Sequence, residues 1–392
     1  MIALLGCLSS PAPPAGPDLT LVSVETLRAD HLPAWGYERE TMPFLSSVEG
    51  RRFHHARSTA PWTLPSMASM LTGLQATEHG VVTHDSVLPE DVRTLAEDLS
   101  AAGYETAFFG VNELFVDPRG LDQGFSTFMG VNGWSADKLR REVEAFLENR
   151  NDNRPLFLVV HFFEPHCPYH APRDLRGTFV SDPGERVSEE QWSTMSDCYK
   201  EDPDISKTID AYDEELVAVD RVIGQLQLPG IVAYVGDHGE SFWEHGDYGH
   251  GRQVYDEAVH VPLIVHGTGF EGVEERPVST AWIANTFRAR AGLSSERPSL
   301  ESPLAQVVSQ TANEGLDRSV VAEGSLRLFL DEEGARLTDL ASDPVETGRI
   351  EDEAAVTRLT AALPQPLFDA ERRPLEAASV ERLRALGYLE RE

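Results

Sequence analysis

Leu19-Thr20-Leu21-Val22-Ser23-Val24-Glu25-Thr26 is a short β-prone run that stops on a carboxylate and a hydroxyl. Outward from it, helical and extended patterns alternate. Pro65 to Leu74 reads as a helix opening just after Thr63, and Leu95 to Gly103 as an amphipathic helix closed by glycine. Strands are expected at Glu105–Phe109, Leu156–Phe162, Ile231–Val235 and Val261–Val265, and further helices at Trp134–Glu148 and Ile209–Leu226. This alternation predicts an α/β fold, with a mostly parallel central sheet and helices on both faces. Beyond about Arg297 the character changes. Short strands at Ser319–Glu323 and Arg327–Leu330, the turn Glu333-Gly334 and a helical tail predict a small C-terminal α+β subdomain. The expected units are therefore a tether at 1–17, a catalytic domain at 18–296 and a C-terminal subdomain at 297–392. The Pro-, Asp-, Ser- and Glu-rich segment Cys167–Lys207 reads as a long surface excursion of the kind that shapes substrate sites.

Composition narrows the function. The net charge is −32, and Lys138, Lys200 and Lys207 are the only lysines. So acidic a surface repels polyphosphate, which argues against a nucleic-acid partner and is read as a solvating exterior. No stretch reaches the roughly 18–20 apolar residues that span a bilayer. Leu4-Leu5-Gly6-Cys7 resembles a bacterial lipobox, and the Pro- and Ser-rich run from Ser9 to Pro17 has the composition of a tether. Lipidation of Cys7 would place the protein in the cell envelope or periplasm. No Lys or Arg precedes the apolar run, however, so either the start codon lies upstream or Cys7 is incidental. Cys167 and Cys198 are the other cysteines, too few for a disulfide framework.

In open α/β sheets, ligands bind at the carboxyl ends of the strands. Three expected strands end in residues that do not suit a core: Glu25, then His161 through Glu164-Pro165-His166, then Asp237-His238. The helix after Trp62 would present Thr63 near its positive N-terminus. A Glu, an Asp and a His are suitable donors for a divalent cation. Each also has an ordinary explanation. Thr63 could be a helix N-cap, Glu25 and Asp237 solvated strand ends, and His166 and His250 polar loop residues.

Together these residues resemble the sulfatase family. Val24-Glu25-Thr26-Leu27-Arg28-Ala29-Asp30-His31-Leu32 looks like its opening strand motif, and Ala60 to Gly73 like its nucleophile segment. Gly236-Asp237-His238-Gly239-Glu240-Ser241, with His250-Gly251-Arg252, resembles its second metal motif. Asp339 to Glu346 and Leu383 to Leu389 resemble its C-terminus. The resemblance spans residues 18–389 in order. The departures matter more. Where sulfatases carry a Cys or Ser that is oxidised to formylglycine, this chain has Thr63-x-Pro65-x-Met67. Threonine bears a methyl on Cβ and cannot yield that aldehyde. The set Glu25, Thr63, Asp237 and His238 is instead similar to that of lipoteichoic acid synthases and phosphoethanolamine transferases, in which Thr is the nucleophile.

That resemblance implies one divalent metal ion (Zn, Mn, Ca or Mg) held by Glu25, Thr63, Asp237 and His238. It also implies His166 and His250 on non-bridging oxygens or the leaving group, with Arg252 as an anion contact. The expected activity is hydrolysis of an anionic phosphoester through a phospho-threonine. The alternatives are sulfate-ester hydrolysis, phosphoryl-group transfer, and a non-catalytic metal- or glycan-binding protein.

Overall fold

The computed structural model describes residues 16–150, 153–179, 205–269, 271–368 and 370–385. Cys7, Cys198, most of the Cys167–Lys207 excursion and the tail from 386 onward, with its Leu386 to Leu389 motif, lie outside the described residues.

Eight strands make the central sheet: β1 (Leu19–Val24), β2 (Arg51–Phe53), β3 (Glu105–Val111), β4 (Thr127–Val131), β5 (Leu156–Phe162), β6 (Ile231–Gly236), β7 (Leu263–His266) and β8 (Gly272–Glu274). Their order across the sheet is β8-β2-β7-β6-β1-β5-β3-β4. Only β7 runs against its neighbours; every other pairing within the sheet is parallel. The mostly parallel α/β fold expected from the alternation is the one observed.

β1 sits at the centre because it has no face that tolerates water. All six of its residues are buried. Leu19 and Leu21 join the core on one face, and Val22 and Val24 the core on the other, as period-two geometry requires. Helices α1 (Thr63–Thr72), α2 (Leu95–Ala101) and α5 (Trp282–Arg290) cover the first face; α3 (Ala136–Asn149) and α4 (Ile205–Ile223) cover the second. The starts of two helices are set locally. Thr94 and Glu97 form a reciprocal capping box at α2, and Ser135 accepts the Lys138 N–H at α3.

Four antiparallel strands follow: β9 (Gln306–Thr311), β10 (Arg318–Glu323), β11 (Leu326–Asp331) and β12 (Gly334–Asp339). This C-terminal sheet is stitched to the segment around Thr63. Gln310 N donates to Thr59 O at 2.8 Å, Ser309 Oγ to Ser58 O at 2.5 Å, and Thr311 Oγ1 to Gly251 O at 2.6 Å. A buried charge cluster adds to the seam. Asp256 accepts from Arg57 Nη2 at 2.7 and 2.8 Å and from Arg327 Nε at 3.2 Å. Burial would raise the Asp256 pKa, but the two guanidiniums hold it well below the usual carboxylate range. Cys167 is disulfide-bonded.

His245 closes the same seam. Its Nδ1 lies 2.7 Å from Glu257 Oε1 and its Nε2 2.9 Å from Val345 O, so both ring nitrogens face acceptors. Only the imidazolium donates from both. Burial would lower its pKa, but the hydrogen bond to Glu257 and that residue's charge raise it. A basic group with a raised folded pKa stabilises fully below its unfolded value, about 6.5, and the contribution disappears as pH climbs through the higher folded value. His245→Gln is therefore expected to lower Tm by about 2 °C near pH 6. In a pH series of thermal melts the gap to the parent should close under alkaline conditions; a gap independent of pH would contradict the imidazolium.

Candidate active site

The carboxyl ends of four strands that are neighbours in the sheet converge, as the parallel arrangement dictates. β1 runs into Glu25, β6 into Asp237 and His238, and β3 into Asn112. β5 carries His161 and leads on to His166. Thr63 comes from the first turn of α1. Glu25, Thr63, Asn112, His161, Asp237 and His238 all have 0% exposure, so every charge here must be answered inside the protein.

Thr63 is not a helix cap. Trp62 holds the cap position, and Thr63 is the first helical residue. Its hydroxyl instead meets the carboxylate and imidazole expected of it: Oγ1 lies 3.1 Å from Glu25 Oε1 and 3.2 Å from His238 Nε2. His238 Nδ1 sits 2.8 Å from Gly239 O, an acceptor only, so Nδ1 carries the proton and the Nε2 lone pair faces Thr63. Asp237 Oδ1 accepts Thr26 N at 3.2 Å and His238 N at 2.7 Å. Its buried Oδ2 accepts no well-directed hydrogen bond among the described residues.

The backbone beside Glu25 is held under strain. Thr26 has φ +52°, a left-handed conformation that costs a β-branched residue roughly 1–3 kcal/mol. Two contacts keep it there. Asp237 takes its N–H, and the Tyr212 hydroxyl on α4 donates to its carbonyl at 2.7 Å. The turn that aims Glu25 is thus set jointly by β6 and by α4.

The histidines take distinct stations. His166 Nε2 lies 3.8 Å from Glu25 Oε1, and its Nδ1 faces Cys167 O at 2.5 Å. The His250 ring is 4.6 Å from that of His238 and 5.0 Å from that of His166, and its Nδ1 is 3.1 Å from buried Glu240 Oε1. Arg252 does not join them. Its guanidinium lies over the Tyr248 ring, with Nη2 3.1 Å from Asp247 Oδ1.

Three site residues were absent from the expected set. Asn112 Nδ2 lies 2.7 and 2.8 Å from the two Glu25 oxygens, and His161 Nε2 is 3.0 Å from Glu25 Oε2. Glu240 supports His250. Asn112 follows the strand-end rule, but the apolar run was read as stopping at Phe109, whereas β3 continues to Val111. His161 was visible as a polar residue within an apolar strand.

The carboxylates carry unequal burdens. Burial would raise the Glu25 pKa, but the hydrogen bond from His161 and the charges of His166, His161 and His238 bring it down to about 2. Asp237 goes the other way: burial, and then repulsion from Glu25, push it well above its ordinary value. Burial likewise lowers His166 and His238. A buried carboxylate pair with a neutral imidazole and a hydroxyl between them is a donor set for a hard or borderline cation. Asp237 Oδ2, which accepts no well-directed hydrogen bond among the described residues, fits that use. Another cluster, His245 with Glu257 and Glu346, has ligand atoms within 4.8 Å of one another. Both His245 nitrogens are already engaged, and Arg327 Nε lies 4.0 Å from Glu346 Oε1, so this cluster answers protons and guanidinium.

Comparison with known proteins agrees with this architecture. The Sulfatase family model matches residues 17–293. An arylsulfatase of Clostridium perfringens is 23% identical over 334 residues, covering 64% of this chain and 69% of the relative. The phosphatidylethanolamine transferase Mcr-1 of Escherichia coli is 26% identical over 249 residues, covering 58% of this chain and 43% of the relative. A Drosophila melanogaster extracellular sulfatase homologue matches over only 27% of its own length. Among solved structures, the phosphonate monoester hydrolase of Agrobacterium radiobacter superposes with TM-score 0.70 at 18% identity over 95% of each chain. A protein solved with its substrate D-glucosamine-2-N,6-O-disulfate gives 0.72 at 17% identity, over 95% of this chain and 98% of the other. These two likenesses establish the fold.

The raised Asp237 pKa makes the metal-free fold prefer a proton there. Stability should fall as pH rises from about 4, the unfolded value, towards the folded one. Asp237→Asn retains the acceptor oxygen and removes the charge. In chelator at pH 8 it is expected to melt about 4 °C above the parent, while losing the rise that added Mn²⁺ or Zn²⁺ gives the parent. Differential scanning fluorimetry reads both, and a lower apo Tm for the variant would sink the argument.

Proposed function

The chain belongs to the sulfatase family, whose members hydrolyse esters, and from that premise we propose that it is a metal-dependent phosphoester hydrolase with unmodified Thr63 as nucleophile. The observation that carries this reading is the Thr63 hydroxyl held 3.1 Å from Glu25 and 3.2 Å from His238. A divalent cation bound by Glu25, Asp237, His238 and Thr63 would lower the pKa of the hydroxyl and offset the charge of an anionic ester.

The chain's own groups supply the rest. Thr63 Oγ1, ionised before the step, attacks phosphorus in line, forming an O–P bond as the bond to the leaving oxygen breaks, and is released again as the alkoxide at the end of the cycle. His250, backed by the Glu240 carboxylate, is suited to carry the proton that the leaving oxygen needs, as a carboxylate-supported imidazole does elsewhere. Water then attacks the phospho-threonine, returns a proton to His250 and frees Thr63. His166, oriented by Cys167 O, faces the same space and would contact a non-bridging oxygen. Arg252, engaged by Asp247, has no part in this scheme.

The sulfatase relatives favour a second reading, sulfate-ester hydrolysis through the same hydroxyl. It is weaker, because Thr63 cannot become the aldehyde on which sulfatase turnover relies. One assay separates the two. Purified protein with Mn²⁺ or Zn²⁺ is given aryl phosphodiester, phosphomonoester and sulfate. Phosphoester turnover should exceed sulfate turnover, Thr63→Ser should retain part of it, and Thr63→Ala should lose on the order of 10³-fold or more in kcat. A Thr63→Ala variant as active as the parent would end the covalent scheme.

Placement outside the cytoplasm is also proposed. The disulfide at Cys167 supports it, since such bonds persist in oxidising compartments. Intact mass of the protein from its native host should show a diacylglycerol on Cys7; an unmodified mass retaining Met1 would contradict the anchor.

A further inference from the structure

Glu25 has one more rotatable bond than an aspartate would bring to this strand end, at a place where one oxygen faces Thr63 Oγ1. We propose that Asn112 is a positioning residue that removes this freedom by fixing the plane of the Glu25 carboxylate, so that one oxygen faces Thr63 while His161 takes the other. The inference rests on the metal-site reading above and deepens it.

Contacts at the two carboxylate oxygens carry the argument. Oε2 is met by Asn112 Nδ2 at 2.8 Å and His161 Nε2 at 3.0 Å, both on the side of the sheet. Oε1 also meets Asn112 Nδ2, at 2.7 Å, and then faces the reaction space, with Thr63 Oγ1 at 3.1 Å and His166 Nε2 at 3.8 Å. The amide thus straddles the carboxylate and sets its plane, and His161 occupies the rear oxygen.

The amide cannot turn over. Asn112 Oδ1 accepts the Leu114 N–H at 2.8 Å, as the cap of the one-turn helix Glu113–Val116, which forces Nδ2 toward Glu25. Asn112 N is bonded to Val131 O at 2.9 Å, so the backbone behind it belongs to the sheet. The turn it caps is anchored as well. Asn132 Nδ2 lies 3.0 Å and Arg382 Nε 2.7 Å from Glu113 Oε2. A cap role alone would explain Oδ1 and leave Nδ2 without purpose. Partners of this kind that orient a metal-binding side chain typically change metal affinity 10–100-fold when lost.

The test exploits the cap. Asn112→Ser keeps a good N-cap residue and loses the reach to Glu25. Divalent-metal affinity is measured by calorimetry with Mn²⁺ or Zn²⁺ for the parent, Asn112→Ser, Glu25→Gln and the double variant. Circular dichroism and the Tm in chelator check the fold. We expect Asn112→Ser to bind metal about 10–100-fold more weakly, with an apo Tm close to the parent's. At saturating metal, kcat should fall while KM stays within about twofold. In the Glu25→Gln background the second substitution should add little, because Asn112 acts through Glu25. Parent-like affinity in Asn112→Ser, or full additivity in the double variant, overturns the positioning role while leaving the metal site intact. If Glu25→Gln itself binds as tightly as the parent, the metal-site reading fails instead.

Discussion

Two carboxylates, Glu25 and Asp237, stand fully buried at the ends of adjacent parallel strands. Nearly everything local can be read as an answer to that placement. His161 and Asn112 bond to the first; two backbone N–H groups at Thr26 and His238 bond to the second. The answer is incomplete at Asp237, whose pKa is driven up by burial and by its neighbour. In the metal-free fold a proton answers the Asp237 charge; a bound cation would answer both carboxylates at once.

The strain at Thr26 belongs to the same problem. A left-handed β-branched residue is held by contacts from β6 and α4, and both exist only once the sheet is assembled and helix-covered. The core therefore does more than stabilise. By burying both faces of β1 it supplies the rigidity that lets an unfavourable turn persist, and that turn sets the direction of Glu25. The order of dependence runs from apolar alternation, to central strand, to strained turn, to ligand oxygen.

How much of this was legible beforehand follows from range. Leu156–Phe162 was read to the residue, and the strand ends at Glu25 and Asp237 followed directly, because parallel strands are dense and short. The central sheet's other members were less visible. Arg51–Phe53, Thr127–Val131 and Gly272–Glu274 are short or half-polar, and pair only because neighbours present an edge. The antiparallel course of Leu263–His266 is likewise a matter of topology, which periodicity does not encode. In the site, the grouping of Thr63, Asp237 and His238 was legible through the resemblance to a family's motifs, since each residue alone had an ordinary explanation. Asn112 was not, since its significance lies in a partner 87 positions away. Arg252 shows the opposite error: it sits beside His250 in sequence, yet local pairing with Asp247 turns it elsewhere.

The seam between the sheets extends to the loop that bears His250. Gly251, next to His250, has φ +91°, donates its N–H to Pro61 O in the segment leading to Thr63, and would bring any side chain within 3.2 Å of Asn313. Its carbonyl is taken by Thr311 at the end of β9. The loop bearing His250 is thus clasped on one side by the segment that leads to Thr63 and on the other by the C-terminal sheet. A displacement of the C-terminal sheet at Thr311 is therefore passed to the loop that carries the His250 imidazole.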